Sequence, residues 1–401
     1  MPCLPSVMQV ETPCSECNLQ QLTGLSNLQS LRIMAPEAHD FHHADEGQQL
    51  QFPRRLTRLT ELHLPLGLLQ DVSSFSECVN LRRLQLRSGG EVDPLTASDW
   101  DAQGFMVLPD LMSLTHLHID VHLHDGHVFY GVLRQLTGLR EVGAYNWPAC
   151  SLPVLQTLSH ITAVYGGWNV PDRVDVSGSV CPHAREVRET WFKVPFQAFP
   201  NLTNVTLFWV DVEHLLSLSH HCTGLQRLAL SPGRSSAMLP KNSPDAACIS
   251  AMQNLANLQH LTHLELAPRK DADLMAFVGA AAAASTLQLR YLSIRGPHSV
   301  FGLMQVPSVR GVQELTVHLT SSKVEFVFKG VSTWLVGLAV VPKVSLLLCS
   351  QEQLDVVDDA RRWAVRIGLP LPAVFNVSVV PHHDDEYDSD DYEWEWWSHR
   401  Q

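Results

Sequence analysis

Leucine and its aliphatic substitutes return along this chain at a fixed rhythm. Leu22, Leu25, Leu28, Leu31 and Ile33 set a pattern of four steps of three residues or fewer, closing on a step of two. It comes back as Leu56, Leu59, Leu62 and Leu64, as Leu111, Leu114, Leu117 and Ile119, and as Leu255, Leu258, Leu261, Leu264 and Leu266. Shorter copies stand at Leu225, Leu228 and Leu230 and at Val312, Leu315 and Val317. A step of two puts both side chains on one side of a short strand and the residue between them on the other. The steps of three before it carry the chain through a turn under the same apolar side. One such unit cannot bury its apolar side alone, so the pattern predicts units stacked on one another, with each fully buried leucine contributing about 1.5–3 kcal/mol.

With the penultimate apolar residue of each copy as a marker, the units fall at Leu31, Leu62, Leu84, Leu117, Val142, Ile161, Val187, Val205, Leu228, Leu264, Leu292, Leu315 and Val344. Their mean spacing is roughly 26 residues, within the ~20–29 of leucine-rich repeats. The Ile161 and Val187 copies are faint; Val187 rests partly on the parallel between Leu139-Arg-Glu-Val142 and Ala184-Arg-Glu-Val187. Between markers, Val212, Leu215, Leu216 and Leu218, and the run Leu274 to Ala284, have helical spacing. Leu354, Val357, Ala360, Ala364 and Ile367 predict a last amphipathic helix before Pro370, followed by a strand over Val374 to Val380.

The repeats resemble the leucine-rich-repeat family from about Leu22 to Val380. Cys78-Val-Asn-Leu81-Arg-Arg-Leu84-Gln-Leu86 and Cys222-Thr-Gly-Leu225-Gln-Arg-Leu228-Ala-Leu230 look like its cysteine-containing subclass, found in F-box substrate receptors of ubiquitin ligases. The resemblance implies an α/β leucine-rich-repeat solenoid, or horseshoe, with a parallel sheet on the concave face and helices or irregular turns on the convex face. Its expected parts are an N-terminal extension, disordered or shielding the first unit, over 1–18; an irregular solenoid over 19–350; a capping helix and strand over 351–381; and a disordered acidic and aromatic tail over 382–401. One departure stands out. Family members place Asn or Cys five residues after the marker to satisfy backbone groups in the turn. Here that slot holds residues such as Pro36, Gly67, Trp147 and Gly166, and Cys349 alone of the thirteen conforms. No F-box-like segment precedes the repeats, so a ligase role would need a separate adaptor.

Solvent-facing strand positions are where partners of such solenoids usually dock, and they can be read off as the residues flanking each marker. They include Arg83, Arg87, His116, His118, Asp120, Tyr145, Arg227, Tyr291 and Arg295. Aromatics, whose large area and few rotors suit binding hot spots, gather after the middle markers: Tyr145, Trp147, Trp168, Trp191, Phe208 and Trp209. These predict either an aromatic binding patch or, for Trp147 and Trp191, core filling where the ladder residue is missing. In the run His116, His118, His122, His124 and His127, with Asp120 and Asp125, alternation puts His116, His118 and Asp120 on one face, so a divalent-metal site is conceivable. A hydrated polar face explains them more simply in a chain with 21 histidines, and no metal and no cofactor is expected.

Charge narrows the partner. The formal net charge is −13, and the 28 basic residues are scattered, which disfavours a duplex-binding surface built on clustered cations. The segment His382 to Gln401 has eight carboxylates and one arginine together with Tyr387, Tyr392, Trp394, Trp396 and Trp397. It reads as a solubilising tail or as a motif for a basic, apolar groove, and Ser389 among its acids is a candidate kinase site. The longest apolar stretches, Leu274 to Ala284 and Trp334 to Val341, fall short of the ~18 residues of a membrane span.

The prolines and Glu11 near the start do not suit a signal peptide. Nine cysteines without a framework spacing fit reduced thiols, and Cys14 and Cys17 form a CxxC without a second pair for zinc. No GxSxG, Walker-type, HExxH or strand-to-helix GxGxxG motif is present. The expectation is therefore a non-enzymatic scaffold binding a protein partner on the concave face, monomeric on its own, in the cytoplasm or alternatively an axoneme or the nucleus. The alternatives are a ubiquitin-ligase substrate receptor and a structural component of a cytoskeletal or ciliary assembly.

Overall fold

A computed structural model describes residues 8–13, 25, 27–34, 56–65, 77–87, 108–120, 127–148, 151–169, 180–190, 194–207, 211–230, 245–268, 271–284, 287–296, 303, 306–319 and 328–380. The chain forms two compact units, Met1–Leu202 and Thr203–Gln401.

In the first unit eight strands follow one another in chain order, each parallel to the next: β1 (Gln9–Pro13), β2 (Ser30–Met34), β3 (Glu61–Pro65), β4 (Arg83–Arg87), β5 (His116–Asp120), β6 (Glu141–Pro148), β7 (Ala163–Asn169) and β8 (Glu186–Thr190). The register runs through the predicted markers, Leu31 beside Leu62, Leu62 beside Leu84, Leu84 beside Leu117 and Leu117 beside Val142. All of these are buried, while the strand residues that follow the four leucines, Arg32, His63, Gln85 and His118, are half-buried. Two short helices, α1 (His127–Leu133) and α2 (Leu152–Thr157), lie between strands.

The second unit repeats the plan with β9 (Asn204–Leu207), β10 (Arg227–Leu230), β11 (His263–Leu266), β12 (Tyr291–Arg295), β13 (Glu314–His318), β14 (Lys343–Leu348) and β15 (Val374–Val379), again parallel and in sequence order. Its connections carry longer helices: α3 (Val212–His221), α4 (Asp245–Leu255), α5 (Asp271–Ala283), α6 (Phe328–Leu338) and α7 (Gln351–Arg366). The caps are local. Asp211 accepts the His214 N–H at the start of α3, and the Ser350 side chain accepts that of Gln353 at the start of α7. Each unit is thus an α/β leucine-rich-repeat solenoid.

Two features depart from the expected register. A strand, β1, stands within the stretch read as an extension, with Val10 beside Leu31. The marker of the seventh strand is Val164, beside Val142 and Val187, rather than Ile161. Ile161 is buried in the turn, where its N–H donates to the Leu158 carbonyl as that of Leu139 does to Leu136. Counting five from Val164 puts Asn169, not Gly166, in the ladder slot.

The strand entries show what stands in for an asparagine ladder. Two successive N–H groups at most entries donate to one carbonyl of the preceding repeat: Arg82 and Arg83 to Thr60, Thr115 and His116 to Arg82, Thr262 and His263 to Gln226. Threonine hydroxyls add a further bond to the same acceptor, Thr60 to Gln29, Thr115 to Arg82, Thr162 to Arg140 and Thr262 to Gln226, at 3.0–3.2 Å. Replacing Thr60, Thr115 and Thr162 together by valine, which keeps shape and removes the hydroxyls, should cost about 0.5–1 kcal/mol per site because these bonds are exposed. Urea titration of the triple variant against the triple serine variant checks it, serine retaining the bond.

Where the ladder slot is described it does a related job. Trp147, 0% exposed, donates its indole N–H to the Tyr165 carbonyl at 2.7 Å, and Cys349 Sγ lies 2.7 Å from the Leu319 carbonyl. A binding role for Trp147 is therefore corrected: its ring belongs to the core, packed near Phe129.

The solvent face around Tyr165

Three strands of the first unit converge on one phenol. β6 carries one residue more than β7 between paired positions, Gly143 facing Tyr165 and Asn146 facing Gly167. Such a bulge bends its strand and re-aims the side chains beside it. The bulge brings the Ala144 carbonyl so close to Gly166 that a Cβ there would sit 1.6 Å from the oxygen, and Gly166 adopts φ +98°. One strand further, Gly143 leaves open the space that the His118 ring and the Tyr165 Cβ take up, since a Cβ at Gly143 would lie 2.5 Å from His118 Nδ1. Two glycines thus let the rings of His118 and Tyr165 meet edge to face, with centroids 6.1 Å apart.

Tyr165 donates its hydroxyl to Glu141 Oε2 at 2.9 Å and accepts from the Arg188 guanidinium at 3.2 Å. Arg188 also lies over the phenol ring, 5.5 Å from its centroid, and pairs with Glu186. The other oxygen of Glu141 meets His116 Nε2 at 3.3 Å, and the remaining nitrogen of that ring faces the Thr115 hydroxyl at 2.8 Å. Burial, and next the bond to Glu141, push the Tyr165 phenol above its usual range, so it remains a hydrogen-bond donor at neutral pH rather than a base. The result is a half-buried, fully engaged patch with both charge signs and two rings on the solvent side of β5 to β8.

Of the positions read from sequence, His116 and His118 belong to this patch, while Arg83 is exposed on β4. Arg87, Asp120 and Tyr145 lie within β4, β5 and β6, but their side chains are outside the described residues, as are Trp191, Phe208 and Trp209 altogether. His122, His124, Asp125 and the Cys14–Cys17 pair also lie outside them. Among the described residues no three His, Cys, Asp or Glu side chains converge on a metal position, and no helix is long and apolar enough to cross a membrane.

In the second unit Arg227 is exposed, and His263 stacks on Tyr291 with centroids 5.9 Å apart. Burial and then Arg227 and Arg290 hold the His263 imidazole below its usual value. Arg295 faces Glu265 at 3.5 Å and Lys343 faces Glu314 at 2.7 Å. Tyr165 is the centre that the site reading missed, and the signal for it was the alternation around Val164, one step of three beyond the marker chosen. Glu141 precedes the marker Val142, and Glu186 and Arg188 flank the marker Val187, so their positions were open to the reading.

No family model matches the chain, and no curated protein matches it. Among solved structures it is similar to an internalin of Listeria monocytogenes, at 13% identity over 88% of this chain and 85% of that one, with a TM-score of 0.38. It is also similar to TLR13 in its complex with ssRNA13, at 14% identity over 82% of this chain and 47% of that one, TM-score 0.45. A third likeness is to a leucine-rich-repeat protein of Leptospira interrogans, at 11% identity over 78% and 90%, TM-score 0.31. The fold assignment rests on the strand register itself.

Proposed function

We propose that the chain is a non-enzymatic protein–protein interaction scaffold that captures a protein partner on the solvent side of β5 to β8. The observation that carries this reading is the Tyr165 patch, where an aromatic ring, a guanidinium and two carboxylates are held in place by one another and by two glycines. Such preorganisation lowers the ordering cost of association, and Tyr and Arg are the residue types that dominate binding hot spots. A protonated phenol, a guanidinium and carboxylates offer donors and acceptors of both signs, which suits a polypeptide surface better than a polyanion.

A narrower reading as a substrate receptor of a ubiquitin ligase draws on the cysteines. Cys78, Cys181 and Cys222 occupy equivalent turn positions, each accepting the N–H three residues on, and all three are buried. Burial pushes each thiol up to about 12, so they act as small apolar residues rather than nucleophiles.

Proximity labelling of the intact chain, compared with the Tyr165→Ala, Arg188→Ala double variant, tests the proposal. The expected result is a set of proteins enriched by the native chain and lost at least about tenfold by the variant, as removal of a hot-spot pair implies, with thermal unfolding of the two chains alike. Ligase adaptors in that set would favour the receptor role, and axonemal proteins a structural one. An unchanged set from a folded variant would remove the proposal.

A further inference from the structure

The end of the second unit is left open. In β14 the inward row Val344, Leu346 and Leu348 is wholly buried, but the corresponding row of β15, Phe375, Val377 and Val379, is only half-buried. Among the described residues β15 pairs with β14 alone, so its outer edge presents backbone donors and acceptors of the kind that invite another strand.

Helix α7 completes this open end. It buries Gln353, Val357, Ala360 and Ala364. At 100° per residue, Leu354, Asp358, Arg361 and Val365 form the adjoining stripe. The Arg361 guanidinium lies 5.7 Å from the Phe375 ring centroid, which fixes this stripe on the β15 side. Val365 is 63% exposed. With Phe375 they place leucine, valine and phenylalanine around a pair of opposite charges, Asp358 and Arg361.

We propose that the acidic and aromatic segment 384–397 of the same chain docks on this end, its tryptophans on the apolar residues of the stripe and of β15 and its carboxylates against Arg361, Arg362 being paired with Asp359 within the helix. Chain continuity is the first argument. The segment begins four residues beyond Val380, and Pro381 has no N–H with which to continue the ladder. Fourteen residues separate Val380 from Trp394, a reach of up to ~46 Å when extended, whereas α7 runs ~24 Å. Chemistry is the second. Eight carboxylates suit a guanidinium group, and Trp394, Trp396 and Trp397 supply the large apolar area that this end lacks. A second copy fits less well, because edge pairing of two chains would bring two segments of net charge −8 together at one seam.

Amide hydrogen exchange on the full chain tests this against two variants, one ending at Val380 and one carrying Trp394→Ser, Trp396→Ser and Trp397→Ser. The docked segment predicts that amides of β15 exchange at least about tenfold faster in both variants, with those of β10 to β12 unchanged. Arg361→Glu in the full chain should produce the same local loss. The serine variant decides the matter should the shortened chain fail to fold. Equal exchange of β15 in the full and serine chains would overturn the proposal. So would protection that grows with protein concentration alongside a dimer mass, which would assign the end to a second copy.

Discussion

Gly166→Ala should destabilise the first unit by about 3 kcal/mol or more, among the largest effects of any single substitution in the chain. Two costs add. An alanine is strained at φ +98°, which by itself costs about 1–3 kcal/mol. Its Cβ would also stand 1.6 Å from the Ala144 carbonyl oxygen and 2.8 Å from the carbonyl carbon, backbone atoms that cannot swing aside as a side-chain tip can. Relief requires β6 and β7 to part at the bulge, which would take Tyr165 away from Glu141. Gly279 provides the control. It lies within α5, and a Cβ there meets nothing within 4 Å, so Gly279→Ala should stabilise by about 0.5–1 kcal/mol. Denaturant unfolding of both variants measures the contrast. Equal effects of the two substitutions would mean that the close approach at the bulge is not a feature of the folded chain.

Trp147→Ala should cost about 3–5 kcal/mol, as truncation of a fully buried tryptophan does. Its ring fills the space beneath the bulge, and its N–H satisfies the Tyr165 carbonyl. Trp147→Phe separates the two contributions. It keeps most of the volume and deprives that carbonyl of the indole bond, for about 1–3 kcal/mol. Urea midpoints of the native, phenylalanine and alanine chains should fall in that order. A phenylalanine variant as stable as the native chain would show that the 2.7 Å bond contributes nothing net. Either variant would disturb the Tyr165 backbone, so reduced partner capture by them reports on positioning rather than on a surface role for the tryptophan.

The repeat was legible because burial acts on every unit in the same way. Leu62, Leu84 and Leu117 in the first unit, and Leu264, Leu292 and Leu315 in the second, fall beside one another because no other residue in their repeats offers both the leading steps of three and the closing step of two. The faint copy at Val187 is in register for the same reason. Ile161 misled because the residue two beyond the true marker is Gly166, where backbone crowding excludes the expected apolar side chain. The closing step was therefore missing, and a residue of the turn took the marker's place. With the register displaced by three, Tyr165 dropped out of the solvent-facing positions. Trp147 was ambiguous for a different reason: a tryptophan five residues after a marker fits an exposed hot spot or a core plug equally well, and only the position of the Tyr165 carbonyl decides between them. The threonines at the strand entries were visible in Leu59-Thr60, Leu114-Thr115, Ile161-Thr162 and Leu261-Thr262. Their role depends on a carbonyl in the preceding repeat, which no local pattern displays.

The alternation of inward and outward residues along each strand has a consequence for how such a chain can change. In most strands the even letters hold the molecule together and the odd letters meet the outside, so two messages are interleaved in one short word. A substitution at Arg83, Gln85 or Arg227 rewrites what the surface says with little effect on the row of leucines beneath. At Gly143, Tyr165 and Gly166 the two messages share letters, and there new recognition must be found without unmaking the scaffold.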